Sequence, residues 1–294
     1  MRKLAVGVLL VSVLGLIGFA YQGSIVFQGG HGAKALGMGG AFCALANDGT
    51  AALWNPAGLA LMSHTIWLGG ATQNLFGLVG YQYVAGGYKF GDYAVGIAWS
   101  NATAGTQYGA NLYLGTVGVK IGDFGTVGAN LKYYQETIAG TTTSGFGFDV
   151  GFLVPLTPEI AIGIVAKDVG GTTIANQTVT SVYGAGMGLK LLDGALVLAA
   201  DVSVDGAFQP LNLGAGIEFV LIENLAVRAG VTVPEINFSD YYFSVGAGFA
   251  IAGLAIDAAY VLKTEPGESL VLSATFSFDE LFGTQTTPEP GPAR

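Results

Sequence analysis

The chain has 294 residues, of which 51% are hydrophobic and only 11% are charged, and it contains 48 glycines. Its mean hydropathy of +0.56 is too high for an ordinary soluble domain, yet no long apolar run follows the first twenty residues, which excludes a helical membrane protein. Eleven basic residues against twenty acidic ones also make nucleic acid an unfavourable partner.

The first twenty residues have the features of a secretory signal peptide. Arg2 and Lys3 form a charged start, an apolar stretch runs from Leu4 to Phe19, and Gly18 and Ala20 supply small residues at a cleavage site. Residues 1–20 are therefore predicted to be removed. Without Arg2 and Lys3, nine basic residues face twenty acidic ones, a net charge of about −11.

The segment that follows, residues 21–63, does not have the pattern of a strand or of a domain. It contains a glycine-rich loop, an alanine-rich helical stretch near Ala41 to Ala46, and a short helix that Asp48 or Thr50 can cap. Pro56 can begin a second short turn, because it lacks a backbone donor. About forty small or apolar residues are too many for a linker and too few for a domain. We predict a hatch of short helices inside a barrel lumen.

The barrel is predicted from a repeated alternation between about Thr65 and Phe278. From Leu211 to Leu221, for example, apolar side chains occupy one parity, whereas Glu218 and small or polar residues occupy the other. Lipid offers no hydrogen-bond partners to a free strand edge, so strands cross a bilayer only in a closed barrel. The pattern predicts an all-β fold, a transmembrane antiparallel β-barrel of about 14 strands over residues 64–278.

Charged residues within these strands fall on the parity opposite the apolar side chains. An Arg or Lys on the lipid face at mid-bilayer would cost about 2 to 4 kcal/mol, so we expect these charges to face the lumen. There they line a polar path, hold the hatch by ion pairs, or neutralise the interior. The predicted lumen-facing charges are Lys132, Asp149, Lys167, Lys190, Asp201, Glu218, Arg228 and Asp257.

The predicted connections alternate in length. Short turns are expected at six places, such as Glu223-Asn224, and longer links at seven, such as Ile138 to Ser144 and Val169 to Thr178. Bacterial barrels place short turns in the periplasm, so both barrel ends are predicted to be periplasmic. The polar, proline-rich residues 279–294 are predicted to be a disordered periplasmic tail.

A family resemblance rests on the run GAKALGMGGAFCALANDGTAALWNPAGLA, from Gly32 to Ala60. It resembles the N-terminal signature of the FadL-type outer-membrane transporter superfamily and is most similar to the PorV/PorQ-like branch. The resemblance implies a fourteen-stranded barrel with an N-terminal hatch and, for the FadL branch, transport of long-chain fatty acids or other hydrophobic compounds. It also implies that Asn55, Pro56 and Ala57 form the family's Asn-Pro-Ala hatch motif. The candidate ligand and hatch residues are Phe42, Asp48, Trp54, Asn55, Pro56 and Ala57.

The leading hypothesis is a passive outer-membrane transporter of hydrophobic small molecules, whose ligand passes the hatch and leaves sideways through a wall gap or into the periplasm. The third strand, which contains Gly96 and Asn101, is the candidate for such a gap. The alternative is a PorV-like accessory protein of a secretion system, which the short loops favour. An unspecific porin needs an open lumen, and the hatch motif argues against one. Expected partners are outer-membrane lipid, a hydrophobic ligand, the barrel-assembly machinery and, in the alternative, secretion-system proteins.

Enzymatic chemistry is not expected. The chain has only two histidines, His31 and His64, and the adjacency of Ser63 and His64 does not bring a nucleophile and a base together. No catalytic residue, cofactor or metal site is predicted. The single cysteine, Cys43, is expected to be a small packing residue.

Overall fold

The computed structural model describes residues 32–75, 79–174, 177–262 and 268–279. The predicted signal peptide, the first part of the predicted hatch and residues 280–294 of the predicted tail lie outside these ranges. None of the described helices has the length and hydropathy that spanning a bilayer requires.

Short helices come first in the chain, and strands follow. The helices are α1 (Ala33–Gly37), α2 (Ala51–Trp54) and a 3₁₀ helix (Pro56–Leu61). The strands are β1 (Ile66–Leu75), β2 (Val79–Phe90), β3 (Tyr93–Ala104), β4 (Tyr108–Ile121), β5 (Gly125–Ile138), β6 (Thr141–Pro155), β7 (Ile160–Lys167), β8 (Thr172–Ile174), β9 (Gln177–Val179), β10 (Val182–Leu191), β11 (Leu196–Asp205), β12 (Pro210–Ile222), β13 (Leu225–Pro234), β14 (Tyr242–Ile251), β15 (Leu254–Leu262) and β16 (Ser269–Ser277). A further 3₁₀ turn, Leu192–Gly194, joins β10 to β11.

Fourteen of the strands close into one antiparallel barrel. Each pairs with its neighbours in chain order, β7 pairs with β10, and β1 pairs with β16 to complete the ring. Strands β8 and β9 form a separate two-stranded hairpin between β7 and β10. The predicted all-β fold and the predicted number of barrel strands are confirmed.

The barrel wall has two chemically different faces, because successive side chains of a strand point to opposite sides. On β5, Leu131 is 62% exposed, whereas Asn130 and Lys132 are 0% and 3% exposed. The same contrast recurs on β3 and β6, where Ile97 and Phe146 are 75% and 68% exposed. We call the side with the large exposed apolar residues the exposed face and the opposite side the buried face.

The two rims of the barrel differ in their connections. One rim, the turn rim, carries the turns at 91–92, 122–124, 156–159, 192–195, 223–224 and 252–253 together with both ends of the barrel. The other, the loop rim, carries the links at 105–107, 139–140, 168–181, 206–209 and 235–241. The prediction of a longer link from Ile138 to Ser144 is wrong: β5 and β6 pair as far as Ile138 and Thr141, and a two-residue turn joins them.

The wall at β3 is continuous. Its ladder to β2 runs from Gly80 and Thr103 to Phe90 and Tyr93, and its ladder to β4 is equally regular. Gly96 and Asn101 therefore lie within paired strand, and the gap predicted there is not present in this structure. Register shifts occur instead in the β11–β12 and β12–β13 ladders.

Candidate functional site

Residues 32–62, which we call the N-terminal segment, contact two separate stretches of the barrel wall. Helix α1 packs against β13 to β16, and the 3₁₀ helix packs against β3 to β6. Strand hydroxyls bind its backbone: Thr232 and Ser244 donate to the carbonyls of Gly39 and Gly37 at 2.8 and 3.2 Å. On the other side, Asn130 Nδ2 donates to the carbonyl of Ala52 at 2.8 Å.

The predicted helix from Ala41 to Ala46 does not form. This part of the segment is irregular, with a turn over residues 43–45, and strand β11 binds two of its backbone donors. Asp201 Oδ2 accepts the N–H groups of Phe42 and Cys43 at 2.8 and 2.7 Å. Asp201 Oδ1 is buried and has no hydrogen-bond partner among the described residues.

Asn55 uses all of its side-chain hydrogen-bonding groups at the point where the 3₁₀ helix begins. Its Oδ1 accepts the N–H of Ala57 at 3.1 Å, which caps the helix. Its Nδ2 donates to the carbonyls of Cys43 and Phe152, each at 3.0 Å. One amide thus joins the two halves of the N-terminal segment to β6, and Pro56 starts the 3₁₀ helix as predicted.

Glycines on the buried face let the backbone of the N-terminal segment approach the wall closely. A Cβ atom on Gly128 would overlap Pro56 and Ala57, and one on Gly151 would overlap the Asn55 side chain. The segment contributes its own glycine at such a point: Gly39 has φ +66°, and a Cβ there would lie 2.5 Å from the carbonyl oxygen of Val231. The contact is therefore backbone against backbone, which only glycine permits.

Phe42 and Trp54 form the aromatic centre of the segment. Phe42 is 0% exposed and meets Trp54 edge to face, with ring centroids 6.0 Å apart. Lys167 of β7 lies over the Trp54 ring, with its Nζ 5.8 Å from the centroid. Lys190, also among the predicted lumen charges, is exposed near the turn end of β10.

Asp48 orders the turn before α2 rather than capping that helix. Its Oδ1 accepts from the backbone N–H and the hydroxyl of Thr50 at 2.8 and 2.7 Å, and no side chain caps α2. Burial raises the pKa of the Asp48 carboxyl above its ordinary value, although Lys34 and the Thr50 donors oppose the shift.

A buried polar cluster lies on β5, β6 and the end of β7. Lys132 Nζ lies 2.7 Å from Asp149 Oδ1 and 2.9 Å from Asp168 Oδ2. Asp168 also accepts from the Tyr134 hydroxyl at 2.7 Å, and its backbone N–H donates to Asp149 at 2.9 Å. The sequence analysis named Lys132 and Asp149 but missed Asp168, whose only signal was its position before a glycine turn.

A second ionic cluster joins β12, β13 and β15. Arg228 Nε lies 2.5 Å from Glu218 Oε2, and its Nη1 lies 2.6 Å from Asp257 Oδ1. Glu218 pairs directly with Arg228 in the ladder, whereas Asp257 lies on β15, where it pairs with Gly248 of the intervening strand β14. The guanidinium bonds to two carboxylates at once, which fixes its orientation.

A cavity of about 520 Å³ opens at the turn rim between the N-terminal segment and strands β12 to β16. Its lining combines charged groups such as Lys34, Asp48 and Arg228 with apolar ones such as Met62 and Phe249.

Two observations bear on chemistry at this site. Among the described ranges, no three His, Cys, Asp or Glu residues are grouped so that they could hold a metal. Burial, with the negative charge of Asp201, raises the pKa of the Cys43 thiol to about 12, so the nucleophilic thiolate is strongly disfavoured.

No protein-family model matches the chain, and no curated protein matches its sequence. Solved transporters share its fold. The toluene transporter TbuX of Ralstonia pickettii superposes with a TM-score of 0.66 at 15% identity, over 84% of this chain and 98% of TbuX. A FadL homologue of Pseudomonas aeruginosa gives a TM-score of 0.62 at 14% identity, over 84% and 98% of the two chains. The toluene transporter TodX of Pseudomonas putida gives 0.64 at 11% identity, over 84% and 97%.

Proposed function

We propose that this chain is a bacterial outer-membrane protein that passively takes up hydrophobic small molecules through a hatch-plugged barrel. Long-chain fatty acids are one such class, and small aromatic hydrocarbons are another. The turn rim and both barrel ends face the periplasm, residues 1–20 are the signal peptide, and the barrel-assembly machinery inserts the mature chain.

The exposed face of the barrel supports membrane insertion. Ile97, Leu131 and Phe146 are 75%, 62% and 68% exposed, which would be costly in water and is favourable against acyl chains. The charged clusters around Lys132 and Arg228 lie on the buried face, as a lipid-facing wall requires.

The observation that carries the proposal is the packing of the N-terminal segment against the buried face of a closed barrel. Hydrogen bonds from Asn130 and Thr232, on different sides of the ring, end on its backbone. A segment held in this way acts as a hatch in the lumen, with Asn55, Pro56 and Ala57 as its docking motif against β5 and β6. The likeness to two toluene transporters and a FadL homologue supports a hydrophobic ligand.

Deletion of residues 21–62 tests the hatch. We expect the shortened barrel to show a higher single-channel conductance in planar bilayers than the intact chain, because the bore is no longer filled. Removal of residues 280–294 is the matched control and should leave the conductance unchanged. Heat-modifiable migration on gels verifies that each variant is folded, and an unchanged current through a folded, hatch-free barrel would reject the hatch.

A second candidate function is a PorV-like accessory protein for secretion, and the short connections favour it. The turn between β5 and β6 has only two residues, Ala139 and Gly140, so little of the loop rim projects to form an outer ligand site. Native mass spectrometry of the gently extracted protein separates the two functions. Bound lipid or hydrocarbon supports uptake, whereas a co-purified secretion or surface protein supports the accessory function.

A further inference from the structure

The link between β7 and β10 folds back onto the barrel wall. Its hairpin, β8–β9, is closed by the pairs Thr172 with Val179 and Thr173 with Thr178. Ile174 and Val179 are 1% and 0% exposed and belong to the same buried cluster as Tyr83 and Leu112, on the buried faces of β2 and β4. The hairpin therefore packs against the side of the wall that the N-terminal segment also contacts.

The hairpin covers a part of β6 that has no barrel neighbour on one side. The ladder between β6 and β7 ends towards the loop rim at the pair Val150 and Ala166, while the rest of β6, from Thr141, pairs only with β5. Here Gly145 faces the hairpin, and a Cβ on it would lie 2.5 Å from the carbonyl oxygen of Thr173. Strand β8 thus rests directly on the backbone of β6.

Asp168 ties both arms of the hairpin to the wall. Its carboxylate accepts from Lys132 Nζ at 2.9 Å and from Thr172 Oγ1, at the start of β8, at 3.0 Å. Its carbonyl accepts from Ser181 Oγ, just beyond β9, at 2.6 Å. Asp168 is only 2% exposed and holds φ +49°, a conformation that few residues other than glycine adopt without compensation.

The hairpin depends on these contacts for its position. An isolated two-stranded hairpin is at best marginally stable, and β8 and β9 have three residues each. Detaching the hairpin would break the buried hydrogen bonds that Thr172 and Ser181 donate to Asp168, and leaving a buried polar group without its partner is unfavourable. These contacts to Asp168 therefore favour the packed position over one in which the hairpin is detached.

We propose that the hairpin β8–β9 is a lid over the apolar side of the ligand passage and that Asp168 is the positioning residue that holds it closed. The inference rests on the proposed function and adds a second closure, at the loop rim, to the hatch. Tyr83, Ile174 and Val179 are almost completely buried, so a hydrocarbon that moves along β2 to β6 must displace the hairpin. The ligand class is apolar because the buried cluster that Ile174 and Val179 join consists of aliphatic and aromatic side chains.

A thiol reporter tests the lid without requiring transport. Val179→Cys, in a Cys43→Ala background, places the only thiol on the lid itself at a fully buried position, and its rate of reaction with a water-soluble maleimide reports how often the lid opens. Asp168→Asn should speed labelling at least about tenfold, because the amide is neutral and has one acceptor oxygen, so it cannot accept from Lys132 on one side and from Tyr134 and Thr172 on the other. Asp149 remains to neutralise Lys132, so the variant creates no unpaired charge there.

Asp205→Asn is the matched control. Asp205 also ends a strand at the loop rim and accepts backbone N–H groups, from Ala207 and Gln209 at 2.8 Å each, but its hydrogen bonds do not reach the hairpin. Its labelling rate should equal that of the parent. Phe208→Cys, where Phe208 is 74% exposed, gives the rate of a free thiol.

The proposal is overturned if Asp168→Asn does not change the Val179→Cys rate, or if Asp205→Asn raises it equally. Should Asp168→Asn fail to fold, Tyr134→Phe replaces it: the loss of one hydrogen bond to Asp168 should speed labelling about fivefold, and an unchanged rate overturns the proposal in the same way. Labelling reports the hairpin and not transport, so this failure is distinct from failure of the proposed function.

Discussion

Single side chains determine where the N-terminal segment meets the wall. Asn55 lies within the segment and hydrogen-bonds to two of its other residues and to β6. Asp201 of β11 accepts two N–H groups of the segment. Neither can be replaced by a residue of the same size without weakening these hydrogen bonds. An aspartate in place of Asn55 could not donate to the carbonyls of Cys43 and Phe152, and an asparagine at Asp201 would remove the charge from the acceptor of two N–H groups. These two residues specify the docked position.

Asp279 stabilises the pairing of β1 with β16, which closes the barrel. It is the first residue of the predicted disordered tail, yet it is 0% exposed. Its carboxylate accepts the backbone N–H groups of Thr65 and Ile66 at 3.0 Å. The polar composition of the tail gave no indication that its first residue would bind β1 from the far end of the sequence.

The stabilisation that Asp279 gives to the closed barrel should depend on pH. Burial alone would raise the pKa of Asp279, but the N–H donors of Ile66 and Thr65 outweigh it and lower the pKa below its usual value. A lowered folded-state pKa means that the stabilisation is complete above the unfolded pKa of about 3.9 and is lost as the pH falls through the folded value.

We therefore expect Asp279→Asn to lower the free energy of unfolding in detergent at pH 7 and pH 5, and the difference from the parent to shrink below about pH 4. Asp123→Asn, in an exposed turn of the same rim, is the control at pH 7 and should change the stability by no more than about 0.5 kcal/mol. A difference that grows as the pH falls would contradict this assignment.

At the scale of elements, glycines on the wall strands keep open the space that the 3₁₀ helix occupies. Gly128→Ala should destabilise the protein by about 1 to 3 kcal/mol, because its methyl group overlaps the backbone of Pro56 and Ala57. Gly115→Ala, on the exposed face of β4 with no atom within 4 Å, should stay within about 0.5 kcal/mol. Chemical unfolding of the detergent-solubilised barrels measures both, and equal effects would show that the close approach is unimportant.

The strands could be predicted because their alternation is local to each strand. The two-residue turn at Ala139 and Gly140 was not predicted, because the longer link was extended through the threonines that follow, as far as Ser144. Threonine also favours strands, and Thr137 and Thr142 hydrogen-bond across the ladder at 2.9 Å. Both turn residues have positive φ, +49° and +83°, as a two-residue hairpin turn of type I′ requires.

The absence of a helix near Ala41 and the presence of the hairpin β8–β9 could not be inferred, because distant partners decide both. Alanine favours a helix, but Asp201 binds the backbone of this stretch from 159 residues away at Phe42. The hairpin strands are too short to give a periodic signal, and Asp168 is 36 residues from Lys132 in the chain. Local pattern predicted the wall, whereas tertiary contacts determined what packs against it.

At the scale of the whole molecule, the chemistry of the two wall faces determines which of them can contact acyl chains. Ile97 lies near the middle of β3 and is 75% exposed, so Ile97→Arg should destabilise the barrel in lipid vesicles by about 2 to 4 kcal/mol. Phe124, 77% exposed in a turn at the rim, provides the control: Phe124→Arg should cost no more than about 1 kcal/mol. Unfolding from vesicles measures both, and equal small costs would mean that β3 does not face acyl chains.

The pairing of β1 with β16 also constrains the order in which the barrel folds. The hydrogen bond between Thr65 and Asp279 spans 214 positions of sequence. It is among the most non-local contacts of the described residues and should form late. The N-terminal segment is synthesised before any strand. We therefore expect the sheet to close against an N-terminal segment that is already present, rather than the segment to enter a finished barrel.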